Sequence, residues 1–473
     1  MIQLVIGIAI LVIGYFTYGK IVEKHFGPEP ELETPAYRLQ DGVDYMPMSK
    51  GRVFLIQLLN IAGLGPIFGA IQGALFGPMA FIWIALGSVF AGGVHDYFTG
   101  MLSLRHDGKS VSEIVGVYLG EPARKLMRVF SVVLLMLVGT VFMTGPANLL
   151  AGLGIPGMDN FDTWLIIIFV YYFLATILPI DKIIGKIYPV FGLTLLIMAG
   201  GIGISLFTGG YTLPAFSFTS LHPKGLPVWA MLFTTVACGA ISGFHATQTP
   251  MMSRCLQNEN QGRPVFFGAM IAEGIIAIIW AAAAMAFFGG VEGLGEFYYG
   301  AGGGQPGAVV NHISLAMLGK FGGILAIIGV IAAPITSGDT AFRSARLTIA
   351  DAMNFNQVEK KNRLILAIPL FAVSFVLTRM NFDIIWRYFS WSNQTLAMIV
   401  LWTSSSYLVH KNKSHWMTTL PAVFMTAVSA TYLLQAPEGF GLPTSISNPV
   451  GALVALASFI YFVYRVKKFK KEQ

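Results

Sequence analysis

Charge is what this chain has least of. Only 11% of its 473 residues are Asp, Glu, Lys or Arg, against about 25% in a soluble globular domain. With 55% hydrophobic residues, that excludes an ordinary soluble fold and points to a polytopic, all-α membrane protein. Cysteine is scarce too. Cys238 and Cys255 are the only two, and their closeness and apolar setting argue against a disulfide framework. The chain also lacks a phosphate-cradling glycine loop, a nucleophile elbow and an HExxH pair. Nothing therefore suggests an ATP-driven pump or an enzyme. The net charge of +7 would suggest nucleic acid in a soluble protein, but the positive-inside rule accounts for it here. No nucleic-acid partner is expected.

What is present is a series of apolar runs long enough to cross a bilayer. They fall near 2–19, 52–75, 77–104, 127–153, 162–180, 186–208, 227–250, 264–289, 321–342, 364–379, 383–409, 416–434 and 449–466. Thirteen spans put the two termini on opposite sides. If the loop after the first span is cytoplasmic, 26 of the 30 Lys and Arg residues lie inside, and only Lys224, Lys320, Arg379 and Arg387 lie outside. That alternation predicts an inner-membrane protein with its N-terminus outside and its C-terminus in the cytoplasm. The first run has no basic region before it and reads as an anchor helix rather than a cleavable signal. The tail Lys467-Lys468-Phe469-Lys470-Lys471 reads as a topology anchor that could also meet anionic lipid.

Two glycine-interrupted stretches organise the rest: Asn60-Ile61-Ala62-Gly63-Leu64-Gly65-Pro66 and Gly239-Ala240-Ile241-Ser242-Gly243-Phe244-His245. Backbone left unpaired in hydrocarbon costs several kcal/mol per group, so non-helical stretches survive only where they line a cavity. Broken helices at matching places in two halves point to a transporter's binding site. Counting from each break gives five spans per half, an inverted-topology 5+5 repeat with one extra N-terminal and two extra C-terminal helices. The expected divisions are an anchor helix 1–20, a Pro- and acid-rich cytoplasmic segment 21–51, a first repeat 52–208, a second repeat 209–409, and accessory helices with the basic tail 410–473. The glycine-rich segment 290–313 is external by this topology, either a lid over the core or a solvated connection.

Gly63, Leu64, Gly65 and Pro66 free main-chain groups that could bind a carboxylate or a cation, or they could simply kink a packed helix. Ser242, Gly243, Phe244 and His245 form the second break, where His245 could bind a carboxylate, carry a proton or sit satisfied by backbone. Phe244 could close over a substrate or pack in the core. Ala333, Thr336 and Ser337 place two hydroxyls beside Pro334, oxygen ligands for a small monovalent cation unless the hydroxyls bond back to their own helix. Asp339 and Arg343 are spaced as an intrahelical pair. Pairing is the favoured reading, and Asp339 could instead be a proton site or gate partner. His95 and Asp96 could form a gate network with Arg343 or a proton relay. A zinc site from His95, Asp96 and His245 has no recognisable ligand spacing. Asn393 and Gln394 could line the pathway or join helices.

Five stretches carry a family resemblance: Asp41 to Pro47, Ile61 to Pro66, Ala91 to Phe98, Ala237 to His245 and Asp339 to Arg346. Together they resemble the carbon starvation protein A family of bacterial transporters over roughly 37 to 409. The resemblance implies uptake of pyruvate or short peptides and a LeuT-type fold, which agrees with the five-plus-five reading. In sodium symporters of that fold, an ion sits between the first broken helix and the eighth core helix. Carried over, the ligands would be the carbonyls of Leu59 and Ala62 with Ala333, Thr336 and Ser337. Pyruvate-transporting relatives imply proton coupling instead, which leaves His245 and Asp339 as carriers. The expected cofactor content is none beyond a possible bound Na+. The expected partners are a small-molecule substrate, a coupling cation and the lipid bilayer. A channel or a membrane-embedded sensor is the competing reading.

Overall fold

The computed structural model describes residues 1–42, 44–152, 156–177, 181–357 and 359–472, with the side chains of 177, 181–189, 326, 327, 333 and 469–472 outside the description. The side chains of Ala333, Phe469, Lys470 and Lys471, named above, and Val43, within the stretch Asp41 to Pro47, therefore lie outside the described residues. All regular structure among the described residues is helical.

Among the described residues, eight helices are long and apolar enough to span a bilayer, and nine if the bent pair Lys50–Ala62 and Gly65–Ala74 is one span. The remaining runs fall short of that measure for physical reasons. Phe161–Ile177 is short, the 227–250 run is broken, Lys360–Leu377 opens with Lys360, Lys361 and Arg363, and Phe382–His410 carries buried Ser, Asn, Gln and Thr along its length. The 321–342 run is divided among Pro306–Ala326, Ile327–Ala332 and Ala333–Met353, and the span there is Pro306–Leu325 instead. The peripheral helices show their apolar side chains outward, with Ile204 66%, Val376 67% and Leu453 62% exposed. Such surfaces are compatible with lipid rather than water. This is a membrane protein.

The interior is organised around the two breaks. Lys50–Ala62 packs against Gly243–Ser253, Asp181–Thr208 and Gly268–Phe287. Gly93–Arg105 packs along Gly243–Ser253. A second layer is built on the 31-residue helix Glu121–Ala151, which packs against Ala333–Met353, Phe382–His410 and Phe161–Ile177. The last two helices, Trp416–Gln435 and Thr444–Glu472, pack on each other and extend this layer past Phe382–His410. The N-terminal helix Ile2–Phe16 lies against Met79–Gly87 and Gly268–Phe287.

One end of the bundle is tied down by Arg105. Its guanidinium donates to both oxygens of the buried Glu259 (3.0 and 2.9 Å), to the Gly27 carbonyl (2.8 Å) and to the Tyr407 hydroxyl (3.1 Å), and it lies over Phe26. A single half-buried cation thus fastens the polar segment after the first helix to three others. Bidentate arginine pairing of this kind is the strong form of a charged hydrogen bond. Glu113, in the short helix Val111–Leu119, is also held ionised. Burial opposes its charge, but hydrogen bonds and the charges of Arg128 and Arg124 prevail and hold it below the usual carboxylate range.

At the other end, 290–313 is more structured than its glycines suggest. It forms the helix Val291–Tyr299 and the start of Pro306–Ala326, whose regularity is interrupted at Gly319 (φ +61°). Asn148 donates to Gln305 (3.1 Å), and Asn311 to the Leu149 carbonyl (3.3 Å). The loop 209–227 closes beside it. Leu221 N–H donates to the Phe76 carbonyl, the His222 ring lies against Phe76, and Lys224 Nζ sits over Tyr299. His222 Nδ1 accepts from the Lys224 N–H (3.2 Å), so the folded loop needs a neutral ring. Burial, and then the Lys224 charge, push His222 down to about 4. A depressed folded pKa means the loop's contribution is complete above the ordinary value of 6.5 and is lost as pH falls toward 4. Amide exchange of 211–227, corrected for intrinsic rates, should accelerate across that window, and His222→Phe should flatten the dependence. Equal protection at both ends of the window would refute this account.

Candidate functional site

The first break begins where Lys50–Ala62 ends at Gly63, whose φ of +41° and ψ of −129° favour glycine. A methyl there would also collide with the Phe142 ring. Among the described residues, the Gly63 N–H closes no capping hydrogen bond. Helix resumes at Gly65 with Pro66 in its first turn, and the axis turns by 52°. Residues Gln57 to Phe76 are all buried.

The second break runs from Val236 to Ser242, between the short turn Phe233–Thr235 and the helix Gly243–Ser253. Its main-chain groups are taken up by side chains from other helices. Gln394 donates to the Phe233 carbonyl (2.8 Å), Trp386 to Thr235 (3.5 Å), Trp83 to Val236 (3.0 Å) and Ser88 to Gly239 (3.1 Å). Asn393 Oδ1 accepts from the Phe244 N–H (2.6 Å) and from the Ser242 hydroxyl (3.1 Å). Asn393 thereby caps the restarted helix from a helix about 150 residues away. Gly243 permits this approach, because a methyl there would strike the Asn393 carbonyl, Leu396 Cβ and the Ala397 nitrogen. The two breaks touch. Gly65 lies against the Cys238 side chain, and Gly239 lies beside Pro66.

Beside the second break sits a fully buried ionisable cluster. Asp96 accepts from His95 Nδ1 (2.7 Å) and from His245 Nδ1 (2.8 Å). The far nitrogen of His245, Nε2, approaches Glu273 Oε2 at 3.3 Å. All four residues are 0% exposed. Thr249 donates to the His245 carbonyl (2.7 Å) and accepts from Gln57 (3.1 Å), which links the cluster to the first broken helix. Buried charges of this density are tolerated only when paired. The arrangement can accept or release a proton, or hold a cation.

The sequence-derived candidates divide into groups. Ser242, Gly243, Phe244, His245, His95, Asp96 and Asn393 come together. Phe244 is wholly buried with its ring edge-on to Phe142. Leu59 and Ala62 lie on a helix that packs against Ala333–Met353, which carries the buried Thr336 and Ser337. Thr336 gives its carbonyl to the Thr340 hydroxyl (3.1 Å). Arg343 donates to Asp339 (3.4 Å) one turn earlier, while Asp96 faces the two histidines. Gln394 reaches the main chain at Phe233. Sequence reasoning missed Glu273 and the part played by Cys238. Glu273 did carry a signal: it is the only acid in the apolar helix Gly268–Phe287, and intramembrane ionisable residues are functional candidates by default.

This architecture is a LeuT-type fold. The chain is similar to the inward-facing form of Mhp1, with a TM-score of 0.53 and 16% identity over 89% of this chain and 92% of that one. It is likewise similar to MhsT solved with L-phenylalanine, with a TM-score of 0.55 and 14% identity over 88% and 98%. A mutant manganese transporter from Eremococcus coleocola gives a TM-score of 0.54 at 11% identity over 89% and 94%.

The chain belongs to the carbon starvation protein CstA family, whose profile matches residues 1–161, 158–291 and 301–432. An uncharacterized membrane protein of Haemophilus influenzae is 46% identical over 59% of this chain and 90% of its own length. The peptide transporters CstA of Escherichia coli K12 and Bacillus subtilis 168 are 29% and 30% identical, each over 58% of this chain. The chain spans about half the length of these two, 48% and 56%.

Asn393→Leu should leave the Phe244 N–H buried without a partner, at a cost of about 1–3 kcal/mol. Gly243→Ala should cost about 1–3 kcal/mol through overpacking against main-chain atoms that cannot retreat. Both should lower the thermal unfolding midpoint in detergent. Wild-type midpoints would remove the capping role assigned to Asn393.

Proposed function

We propose that this protein is a secondary active transporter of the inner membrane that imports a small carboxylate nutrient, pyruvate or a short peptide, by alternating access. The observation that carries this reading is the contact of two broken helices deep in the interior, beside a buried ionisable cluster. The fold shared with Mhp1 and MhsT and the peptide-transporter names of the E. coli and B. subtilis relatives support it. The substrate carboxylate would sit against the main-chain N–H groups of Gly63, Leu64 and Gly65, with Pro66, which has no N–H, shaping the turn beside it, and would face Ser242 to His245. Asn393 and Gln394 hold the second break in place.

Thirteen spans in a five-plus-five inverted repeat, with the N-terminus outside, remain the proposed topology. The moving unit would be the first two spans of each half, which rock against the layer built on Glu121–Ala151. The closed packing of both breaks favours a transporter over a channel, which needs a continuous polar pore.

Two coupling ions have support. Sodium is favoured by Thr336 and Ser337 on a helix that packs against the one bearing Leu59 and Ala62. Protons are favoured by the buried His95–Asp96–His245 group, with Asp339 as a second carrier. Labelled-pyruvate uptake into proteoliposomes, with labelled dipeptide as competitor and sodium and proton gradients imposed separately, tests the whole reading. Concentrative uptake is the expected result. Flux that never exceeds equilibrium would indicate a channel, and no flux for either substrate would remove the proposed substrate class. If sodium drives uptake, Thr336→Ala with Ser337→Ala should abolish the sodium dependence. A sodium response that survives both changes would discard that ion site.

A further inference from the structure

Three potential metal-ligand side chains converge beside the second break: the Cys238 thiol, His245 and the Glu273 carboxylate. One ligand atom from each lies within 4.8 Å of the others, and all three residues are buried. His245 Nε2 and Glu273 Oε2 are 3.3 Å apart but lack hydrogen-bond geometry, and both Glu273 oxygens are without hydrogen-bond partners. A fully buried carboxylate in that state is costly. The spacing matches another use. With zinc–nitrogen and zinc–oxygen bonds of about 2.0–2.2 Å, neighbouring ligands of a tetrahedral ion stand roughly 3.3–3.6 Å apart.

The surroundings are those of a ligand set. Asp96 Oδ2 accepts from His245 Nδ1 at 2.8 Å, which selects the tautomer whose Nε2 lone pair faces Glu273. A carboxylate behind a histidine in this way is the usual outer support of a zinc ligand. The Cys238 sulfur accepts from the Asn393 amide at 3.4 Å and lies 3.5 Å from the Ser242 hydroxyl. The Asn393 contact suits a sulfur acceptor. The Ser242 hydroxyl already donates to Asn393 Oδ1, so in the metal-free chain it accepts from the Cys238 thiol, whose hydrogen a bound metal would displace. Cysteine sulfur, imidazole and one carboxylate together favour a zinc-class ion over magnesium or calcium. Cys238 lies in the second break, His245 in the helix Gly243–Ser253 and Glu273 in Gly268–Phe287, so an ion here would tie the non-helical stretch to two helices.

We propose that Cys238, His245 and Glu273 form a binding site for a divalent first-row transition metal of the zinc class. Binding displaces the thiol proton and leaves His245 neutral. His245 then ligates through Nε2 and donates through Nδ1 to Asp96. A metal-loaded His245 does not carry protons, so metal occupancy would assign proton movement to other groups. The proposal concerns binding and does not rest on the transport reading.

The test uses the full chain, expressed with zinc or cobalt supplied and purified in detergent. Zinc should co-purify, and cobalt should give tetrahedral d–d bands with a near-ultraviolet thiolate-to-cobalt charge-transfer band. Cys238→Ser should abolish the charge-transfer band, and Cys255→Ser should leave it intact. Asp96→Asn should weaken cobalt binding by about 10–100-fold, and Glu273→Gln should weaken it by at least about tenfold. Folded, monodisperse wild-type chain that holds neither metal overturns the proposal, as does a thiolate band that survives Cys238→Ser. If the Cys238 variant does not fold, X-ray absorption on zinc-loaded wild type decides. One sulfur with nitrogen and oxygen neighbours supports the site, and a shell without sulfur overturns it.

Discussion

Main chain that leaves the helix inside an apolar interior must find hydrogen-bond partners, because each orphaned group costs several kcal/mol. Much of this structure follows from that constraint. The carbonyls of Phe233, Thr235, Val236 and Gly239 and the amide of Phe244 meet side chains from Met79–Gly87, the adjoining turn at Ser88, and Phe382–His410. These partners are polar or indole side chains in otherwise apolar settings. Their burial is compensated because each completes a group that the break exposes. The break in turn fixes where the helices that supply them must pack. Asn393 shows the reciprocity: it can cap Phe244 only because Gly243 lets the two main chains approach.

Charge is managed by the same economy of partners. Asp96, ionised and without partners in this dry setting, would carry a large uncompensated cost. Both oxygens are instead engaged by ring nitrogens of His95 and His245. Glu273 is different: among the described residues its oxygens make no hydrogen bond, although His245 Nε2 approaches at 3.3 Å. The cluster is therefore lopsided, satisfied at Asp96 and incomplete at Glu273. A proton or a metal ion added on the Glu273 side would complete it, and this is why the same four residues serve two chemical readings.

The sequence disclosed the breaks because glycine and proline punctuate helices by their own local conformations. Gly63 with Gly65-Pro66, and Ser242-Gly243, needed no knowledge of neighbours. It also disclosed the close pair Asp339 and Arg343, one helical turn apart. It could not disclose what satisfies the breaks. Ser88, Trp83, Trp386 and Gln394 act on residues about 150 or more positions away, and nothing local marks a tryptophan as a donor to a particular carbonyl. Glu273 was legible as a lone acid in an apolar helix, but its approach to His245 depends on how two helices rotate against each other. The glycine-rich 290–313 suggested a pliant loop. It is largely helical because its glycines cluster at the turn, Gly300 to Gly304, and leave Val291–Tyr299 free of interruption except at Gly293 and Gly295.

The two breaks are not equivalent, and the difference bears on which one can respond to a ligand. At the second, carbonyls and the restarting helix are already engaged by side chains rooted in several helices. A ligand that bound those groups would first have to displace Asn393 or the indoles, losing hydrogen bonds as it made them. At the first, Gly63 ends its helix without a capping hydrogen bond and carries a backbone conformation that needs glycine. Its neighbours are the apolar rings of Phe142 and, across Gly65, the Cys238 side chain. The Leu64 carbonyl is already taken by the Ile67 and Phe68 N–H groups, so the lesser competition at the first break concerns an anion at its N–H groups rather than a cation at its carbonyls. The second break is better suited to present side chains, His245 foremost, than backbone. The contact between Gly65 and Cys238 couples them: a change in the first break presses directly on the sulfur beside His245.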